Sequence, residues 1–350
     1  MKSVVITSYR DAGFLEENVR LLRDKVSEII VAADEPDEEI IEVINKYGLK
    51  ASLSDERRGK WKALNDALEL VRGDHIIFLD SDTLLVDLSG LNGHDVVEIV
   101  KEVRGDSFVE RLVNIDYLVM SIGSKIASKF GSCLGINGSA FVVRKKVFDK
   151  LGGFRRRVNE DTDFGVRVGL SGFTFSLCGK AYTNAPKNFK EWFRQRERWS
   201  LGGAEVLIEN FLHIIIRPKL WLPYLFFFYP AIFSLIVTSF LPDSYLFKLF
   251  YLLLPVVAIL SPKLASIAIL TVYEVETLKN ILAMLASFSA WAVVIAAGSK
   301  KMDFKIDFKL LPFYYFIYSP LWTTVCFVSL MRVLGCKLLG KKIEVNGWKV

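Results

Sequence analysis

Four short stretches hold residues whose types and spacing could do chemistry. FLDSDT carries Asp80 and Asp82 at the end of an apolar run. In an extended chain they point to the same side, and such a pair suits a divalent cation that phosphate oxygens also hold. The cation would offset the charge on a leaving diphosphate. NEDTD supplies Glu160 and Asp161 at the start of a helix-like stretch. Acidic residues there gain about 0.3–1 kcal/mol from the helix dipole; the sharper reading is a general base for a hydroxyl. GKWKALN puts Lys60 behind a glycine at a helix start, a place that meets phosphate, although an exposed lysine is the plain alternative. FRQRERWSLGG (193–203) sets Gln195, Arg198 and Trp199 at i, i+3 and i+4, on one helical face. An arginine fork holds phosphate, a tryptophan face can lie under a sugar ring, and Gln195, the only glutamine in the chain, can bond sugar hydroxyls. The competing account is a membrane-surface helix with incidental Arg and Trp.

These residues need a frame, and the first 90 residues read as one. SVVIT (3–7), EIIVAAD (28–34), KASLS (50–54) and HIIFLDSD (75–82) are strand-like. Residues 13–26, 37–48 and 61–73 show helical apolar spacing between them, the second run stopping at Gly48. The alternation predicts a largely parallel sheet covered on both faces. Three strands end on polar tips: Thr7, Asp34, and Asp80 with Asp82. Open α/β sheets hold ligands beyond the C-terminal ends of their strands, so a site is expected at that edge. Beyond residue 100 the pattern is less regular. Residues 138–154 read as a strand and a helix ending at Gly152-Gly153, and 159–172 as a helix with an acidic first turn. Residues 187–217 read as a long amphipathic helix whose Phe189, Trp192 and Phe193 form an apolar patch for a membrane interface.

The composition divides the chain. It is 52% hydrophobic with a mean hydropathy of +0.32, too apolar for an ordinary soluble protein. Apolar blocks near 220–241, 246–272, 278–298 and 311–335 are each about the ~20 residues a spanning helix needs. The expected organisation is an α/β domain over 1–186, interface helices over 187–219, a transmembrane region of about four helices over 220–335, and a basic cytosolic tail over 336–350. Glu274, Glu276 and Lys279 predict a polar turn at a membrane face. The net charge of +6, with Arg217, Lys219, Lys337, Lys341 and Lys342 flanking the apolar blocks, favours the cytoplasmic side. In a four-span count the basic stretch 299–309 falls on the far side, against that tendency, so three or five spans are the alternatives. MKSVVIT opens directly on a strand pattern, so an integral protein of the cell membrane with its catalytic domain in the cytoplasm is expected. Cys133, Cys178, Cys326 and Cys336 form no CxxC pair and read as free thiols. His75, His94 and His213 are scattered, and no base-stacking motif accompanies the basic residues, so nucleic acid is not an expected partner.

Taken in order, these stretches resemble the membrane-bound family-2 glycosyltransferases of the QxxRW type, the group of cellulose, chitin and hyaluronan synthases and smaller relatives. SVVITSY resembles the first strand, whose Thr7 and Tyr9 would border the nucleotide. EIIVAAD resembles the second, with Asp34 expected near the base and Ala33 where the family usually has another aspartate. GKWKALN resembles the GKxxALN loop and gives Lys60 a diphosphate role. DSD matches the metal motif of Asp80 and Asp82, and NGSAF resembles the acceptor-lining segment, here Gly138 and Ser139. NED matches the TED motif with Asn159 for Thr, and Asp161 falls on its base, beside Glu160. QRERW is a full QxxRW match: Gln195 and Arg198 would hold the donor and Trp199 the acceptor. The resemblance implies a GT-A fold followed by transmembrane helices, with Mn or Mg as cofactor. It implies inverting hexosyl or N-acetylhexosaminyl transfer from a nucleotide-sugar donor, UDP-linked by family habit, to a hydroxyl of a lipid-linked or polysaccharide acceptor. No counterpart of the synthases' gating loop is present, which points to a small relative. Two alternatives stay open: a polyprenyl-phosphate sugar transferase, which needs no hydroxyl base, and a non-catalytic nucleotide-sugar-binding membrane subunit.

Overall fold

The computed structural model describes residues 1–91, 93–228 and 254–340. Eight strands form one sheet: β1 (Lys2–Tyr9), β2 (Glu28–Asp34), β3 (Lys50–Ser54), β4 (His75–Asp80), β5 (Thr83–Asp87), β6 (Val96–Val103), β7 (Ala140–Arg144) and β8 (Phe175–Thr183), in the order β3-β2-β1-β4-β7-β6-β8-β5. The half made of β3, β2, β1 and β4 is parallel, as the alternating pattern predicts. The other half is mixed: β7 runs antiparallel to both β4 and β6, and β5 antiparallel to β8. The largely parallel expectation therefore holds only for the first half.

Helices α1 (Leu15–Leu22) and α2 (Glu38–Tyr47) cover one face, where Val4, Ile6, Val31, Ile77 and Leu79 pack with Leu15, Leu22 and Ile40. Asp37 caps α2 through the Ile40 amide, and Gly48 ends it in the left-handed conformation. Helices α3 (Lys60–Ala67), α5 (Lys145–Leu151) and α6 (Glu160–Leu170) lie over the other face, around a cluster of Phe78, Phe141, Phe148, Phe154 and Phe164. Helix α4 (Phe108–Lys129) starts in a reciprocal cap between Ser107 and Glu110 and buries residues nearly all round.

Helix α7 (Phe189–Ile215) and α8 (Pro218–Phe228) follow. Of the first apolar block only 220–228 are described, of the second 254–272, and the tail beyond Gly340 lies outside the described residues. Helix α9 (Pro262–Lys301) runs through Glu274, Glu276 and Lys279 without a break, so the expected polar turn is absent; no Gly or Pro interrupts residues 272–280. A one-turn α-helix (Leu311–Phe313) and a π-helical turn (Tyr314–Tyr318) lead into α10 (Ser319–Leu338). Among the described residues, two segments are long and apolar enough to cross a membrane, Ile281–Lys301 and Phe308–Leu338. The turn between them docks on the α/β domain. Asn114 Nδ2 donates to Lys305 O (2.7 Å), Arg111 pairs with Asp307 (3.0 Å), Lys180 Nζ donates to Asp303 O (2.9 Å), and Phe304 is buried. The basic stretch 299–309 therefore lies against the α/β domain, whereas the four-span count sets it on the opposite side.

Candidate active site

The parallel register builds the floor. Tyr9 lies opposite Asp34 and Thr7 opposite Asp80, so the three expected tips meet at one edge. Thr7 Oγ1 donates to Asp80 Oδ1 (2.7 Å). Tyr9 is exposed, with the guanidinium groups of Arg57 and Arg10 4.5 and 5.3 Å from its ring centre. Asp34 is buried, and both of its oxygens are taken by Arg58 Nε (2.8 Å) and the Gly59 N–H (3.0 Å). Arg58 also donates to Asp66 (3.0 Å) and Ser52 Oγ (3.1 Å), so Asp34 organises the loop that delivers Lys60. Gly59 has φ of 91°, a conformation a side chain would oppose.

Strand β4 ends at Asp80, so Asp82 does not sit in an extended run. The Ser81 N–H donates to Thr7 O (2.9 Å), and Ser81 O accepts from the Phe14 N–H (2.6 Å), which turns the chain off the sheet. Asp82 still feels its neighbour. Crowding by protein, and after it the charge of Asp80, raises its carboxyl to about 6. Asp82 itself is exposed. Lys60 Nζ lies 2.7 and 2.8 Å from the two oxygens of Asp80 and 3.6 Å from Glu160. Burial works against its charge, but the carboxylates of Asp80, Glu160 and Asp161 outweigh that and raise its pKa.

The loop before β7 and the start of α6 face one another. The Gly138 N–H donates to Asp161 Oδ2 (2.7 Å), and Asp161 Oδ1 accepts from the Thr162 N–H (2.6 Å). A Cβ at position 138 would stand 2.3 Å from Asp161 Oδ2, so only glycine permits this approach. Ser139 Oγ bonds Asn137 Oδ1 (3.0 Å) and faces inward to its own loop, while Ser139 O accepts from the Asp80 N–H (2.9 Å). Glu160 is buried; burial, then the charge of Asp161 against the pull of Lys60, raises its carboxyl to about 7.

Helix α7 closes the site. Burial lowers the Arg198 pKa, and the charges of Glu160, Asp161, Asp80 and Asp82 act on it in the opposite sense, so Arg198 lies within electrostatic reach of these carboxylates. Gln195 Oε1 is buried and has no hydrogen-bond partner among the described residues. The Arg196 guanidinium stacks 4.5 Å from the Trp199 ring. Trp192 does not face a membrane interface. It is 1% exposed and donates to Tyr318 Oη (2.7 Å), leaving only Phe189 and Phe193 outward.

Sequence patterns missed several residues here. Asn159, the departure from the TED motif, donates to Trp199 O (2.8 Å) and so ties the start of α6 to α7. Arg196, between Gln195 and Arg198, is fully buried and pairs with Asp116 of α4 (2.8 Å). Lys101 and Glu98 of β6 are buried behind the Asn137–Ala140 loop. Arg196, Lys101 and Glu98 each read as an ordinary surface charge in a linear sequence, and only a spacing that placed them in a buried element could have revealed them. Among the described residues no three His, Cys, Asp or Glu side chains form a metal cage.

Residues 75–262 match the sequence profile described as glycosyl transferase family group 2, and residues 3–87 match glycosyl transferase family 2. A Bacillus subtilis protein named "Probable glycosyltransferase YdaM" is 22% identical over 98% of this chain and 85% of its own length. The glucomannan 4-beta-mannosyltransferase 1 of Cyamopsis tetragonoloba is 33% identical over 37% of this chain, a match that spans only 26% of the plant protein. The fold is similar to that of a mannosyltransferase from Pyrobaculum calidifontis solved with GDP-Man and Mn²⁺, with a TM-score of 0.54 at 16% identity, over 97% of this chain and 88% of that one. The sheet is thus GT-A-like. With a profile matching more than half of its length, and with carboxylates and basic groups gathered at the C-terminal edge of that sheet, this chain belongs to glycosyl transferase family group 2.

Proposed function

We propose that the protein is an inverting transferase of the QxxRW type that moves a sugar from a nucleoside-diphosphate donor to a hydroxyl of a lipid-linked or polysaccharide acceptor at a membrane. The observation that carries this is the convergence of Asp80, Asp82, Glu160 and Asp161 with Lys60 and Arg198 on one sheet edge. Asp161, its carboxylate oriented by two backbone amides, takes the proton of the acceptor hydroxyl. The hydroxyl oxygen forms its bond to the anomeric carbon as the bond from that carbon to the diphosphate breaks, and the nucleotide leaves with the electron pair. Lys60 and Arg198 steady the diphosphate charge. The buried carbonyl of Gln195 accepts from a sugar hydroxyl, and Tyr9, Thr7 and Asp34 with its loop border the nucleotide. Gly138, against the base, and Trp199 of α7 border the acceptor side, while the Ser139 hydroxyl is turned into its own loop. Only a hydroxyl acceptor requires such a base, so the polyprenyl-phosphate reading stands second.

Asp80 and Asp82 fit a hard divalent cation, Mn or Mg: both offer oxygen donors, and the raised carboxyl of Asp82 records a like-charge pair that a cation would relieve. Bound there, the metal would supply charge neutralisation for the leaving diphosphate. Two carboxylates make an incomplete site, consistent with a cation shared with the donor.

The donor nucleotide is the open choice between the UDP expected from Asp34 and the GDP-mannose suggested by the mannosyltransferase relatives. We favour GDP-mannose, because the full-length fold similarity and the plant relatives both carry mannosyl transfer in their names. Membrane insertion through the two apolar segments, with the α/β domain and the basic turn on the cytoplasmic side, completes the reading. The test is nucleotide release by the detergent-purified chain offered GDP-mannose, UDP-glucose or UDP-N-acetylglucosamine with Mn²⁺. Release from one donor, lost on adding EDTA and in Asp161→Asn, is the expected result. No release and no binding of any donor would overturn it.

A further inference from the structure

We propose that Lys101 and Glu98 are positioning residues: a buried ammonium and a buried carboxylate that each hold the backbone of the Asn137–Ala140 loop, so that its Gly138 amide sets the carboxylate of Asp161. This rests on the reading of Asp161 as the base.

The need for such a clamp follows from the sheet. β6 pairs with β7 only at Val96, Val97 and Glu98, and the last pair is Glu98 with Phe141. Before Phe141 the chain leaves the β6 ladder, so the carbonyls of residues 137–140 lose the donors a continued strand would offer. Buried carbonyls require replacements. Lys101 Nζ donates to Asn137 O (3.0 Å) and Ala140 O (3.1 Å), at the two ends of the loop. The Asp80 N–H takes Ser139 O (2.9 Å), and Lys60 Nζ lies 3.5 Å from Gly138 O. Glu98 Oε2 accepts from the Asn137 N–H (3.3 Å). Every carbonyl of the loop is held, and the Gly138 N–H is left directed at Asp161.

Packing alone does not account for these side chains. Lys101 is 1% exposed and Glu98 4%, and an aliphatic residue would fill the same space without the desolvation cost of a charge. The ammonium spends its hydrogen bonds on the loop backbone, and Glu98 supplies the neighbouring counter-charge. Burial lowers the Lys101 pKa to about 8 and raises that of Glu98; Asp161 and Asp80 favour the ammonium form and Lys60 opposes it. The pair reaches the chemistry only through the loop, since neither side chain bonds Asp161.

The experiment compares wild type, Lys101→Met, Lys101→Arg and Glu98→Gln as full-length detergent-purified protein, with Mn²⁺ and GDP-mannose, or a UDP-sugar if that is what turns over. Lys101→Met should lower kcat at least tenfold with the donor KM within twofold. The acid limb of its kcat–pH profile should move to higher pH, because a hydrogen bond to the ionised carboxylate is lost. Lys101→Arg should recover part of kcat. Hydrogen exchange in a peptide covering 134–142 should quicken in Lys101→Met. Wild-type kcat and acid limb, or a loss carried wholly by KM, would overturn the clamp. If Lys101→Met does not fold, Lys101→Arg and Glu98→Gln carry the same readouts. If wild type turns over no nucleotide sugar, the transferase reading fails, and unchanged exchange in the loop would overturn the clamp separately.

Discussion

On one side of α7, Asp80, Asp82, Glu160 and Asp161 crowd around Lys60 and Arg198; on the other, Arg196 meets Asp116 at 2.8 Å inside a cage of aromatic rings. The first cluster has four carboxylates for two cations, and its carboxyls are pushed up, Asp82 to about 6 and Glu160 to about 7. The second is balanced one to one. Tyr314 Oη donates to Asp116 (2.8 Å), Tyr318 Oη lies 3.4 Å from its other oxygen, and Trp192 Nε1 donates to Tyr318 (2.7 Å). The Arg196 guanidinium spreads against Trp199 and Trp322, 4.5 and 4.9 Å from their ring centres. A surplus of like charge is costly to keep and marks a place where a charged ligand completes the balance. A balanced, buried pair ties elements together. Here it joins α4, α7 and the apolar segment after Leu311, and so couples the candidate donor-binding helix to a candidate membrane segment.

Removing a charge from each side sharpens the contrast. Asp161→Asn should cut turnover by about 10²–10⁴-fold, the usual contribution of a positioned base, with little change in melting temperature. Asp116→Asn should do the reverse in kind. It leaves Arg196 buried without its counter-charge, at a cost of about 3–5 kcal/mol, read as a lower thermal midpoint in detergent. If Asp161→Asn melts the protein while Asp116→Asn leaves the midpoint alone, the two assignments exchange. Tyr314→Phe comes next. It deletes one hydrogen bond to a charged group, worth about 1.5–3 kcal/mol, and donor KM should stay unchanged.

The carboxylate cluster was far more legible in the sequence than the balanced pair. Thr7, Asp34 and Asp80 stand at the ends of apolar strands, and parallel alternation forces such ends to one edge. Asp161 and Arg198 announce themselves by short motifs whose partners lie within a few residues. Arg196 and Asp116 are 80 positions apart, and Asp116 sits in α4, a helix buried on nearly every side and so without an amphipathic period. The same lack of period hid β6 and its Lys101. The mixed half of the sheet was misjudged because β7 follows a helix much as a parallel strand would; its antiparallel course depends on pairing with β4 and β6, which no local pattern encodes. The extended geometry expected to align Asp82 with Asp80 fails, since the chain turns at Ser81. Trp192 was misplaced because an aromatic on a helix serves an interface or a core equally well, and only Tyr318, far away in sequence, decides between them.

Metal should expose the charge surplus directly. Mn²⁺ binds the ionised carboxylates, so it raises the melting midpoint by mass action. The rise should be larger at pH 8 than at pH 5, because Asp82 has ionised above about 6. An Asp82→Asn variant should lose this gain, and an Mn²⁺ effect equal at both pH values would argue that the ion binds elsewhere.

The smallest effect belongs to Glu160 in chelated, metal-free protein. Its carboxyl titrates near 7 in the folded chain against an ordinary value of 4.5, so the folded state holds a proton that the unfolded state has released between those values. The stability this supplies is complete below pH 4.5 and is lost as pH rises through 7. Glu160→Gln carries no such proton, so its stability should decline less over that window. Above pH 7 the variant should melt higher than wild type. Parallel melting curves for the two proteins from pH 5 to 8 would show that Lys60 already neutralises Glu160, and that the surplus charge resides in Asp80, Asp82 and Asp161 alone.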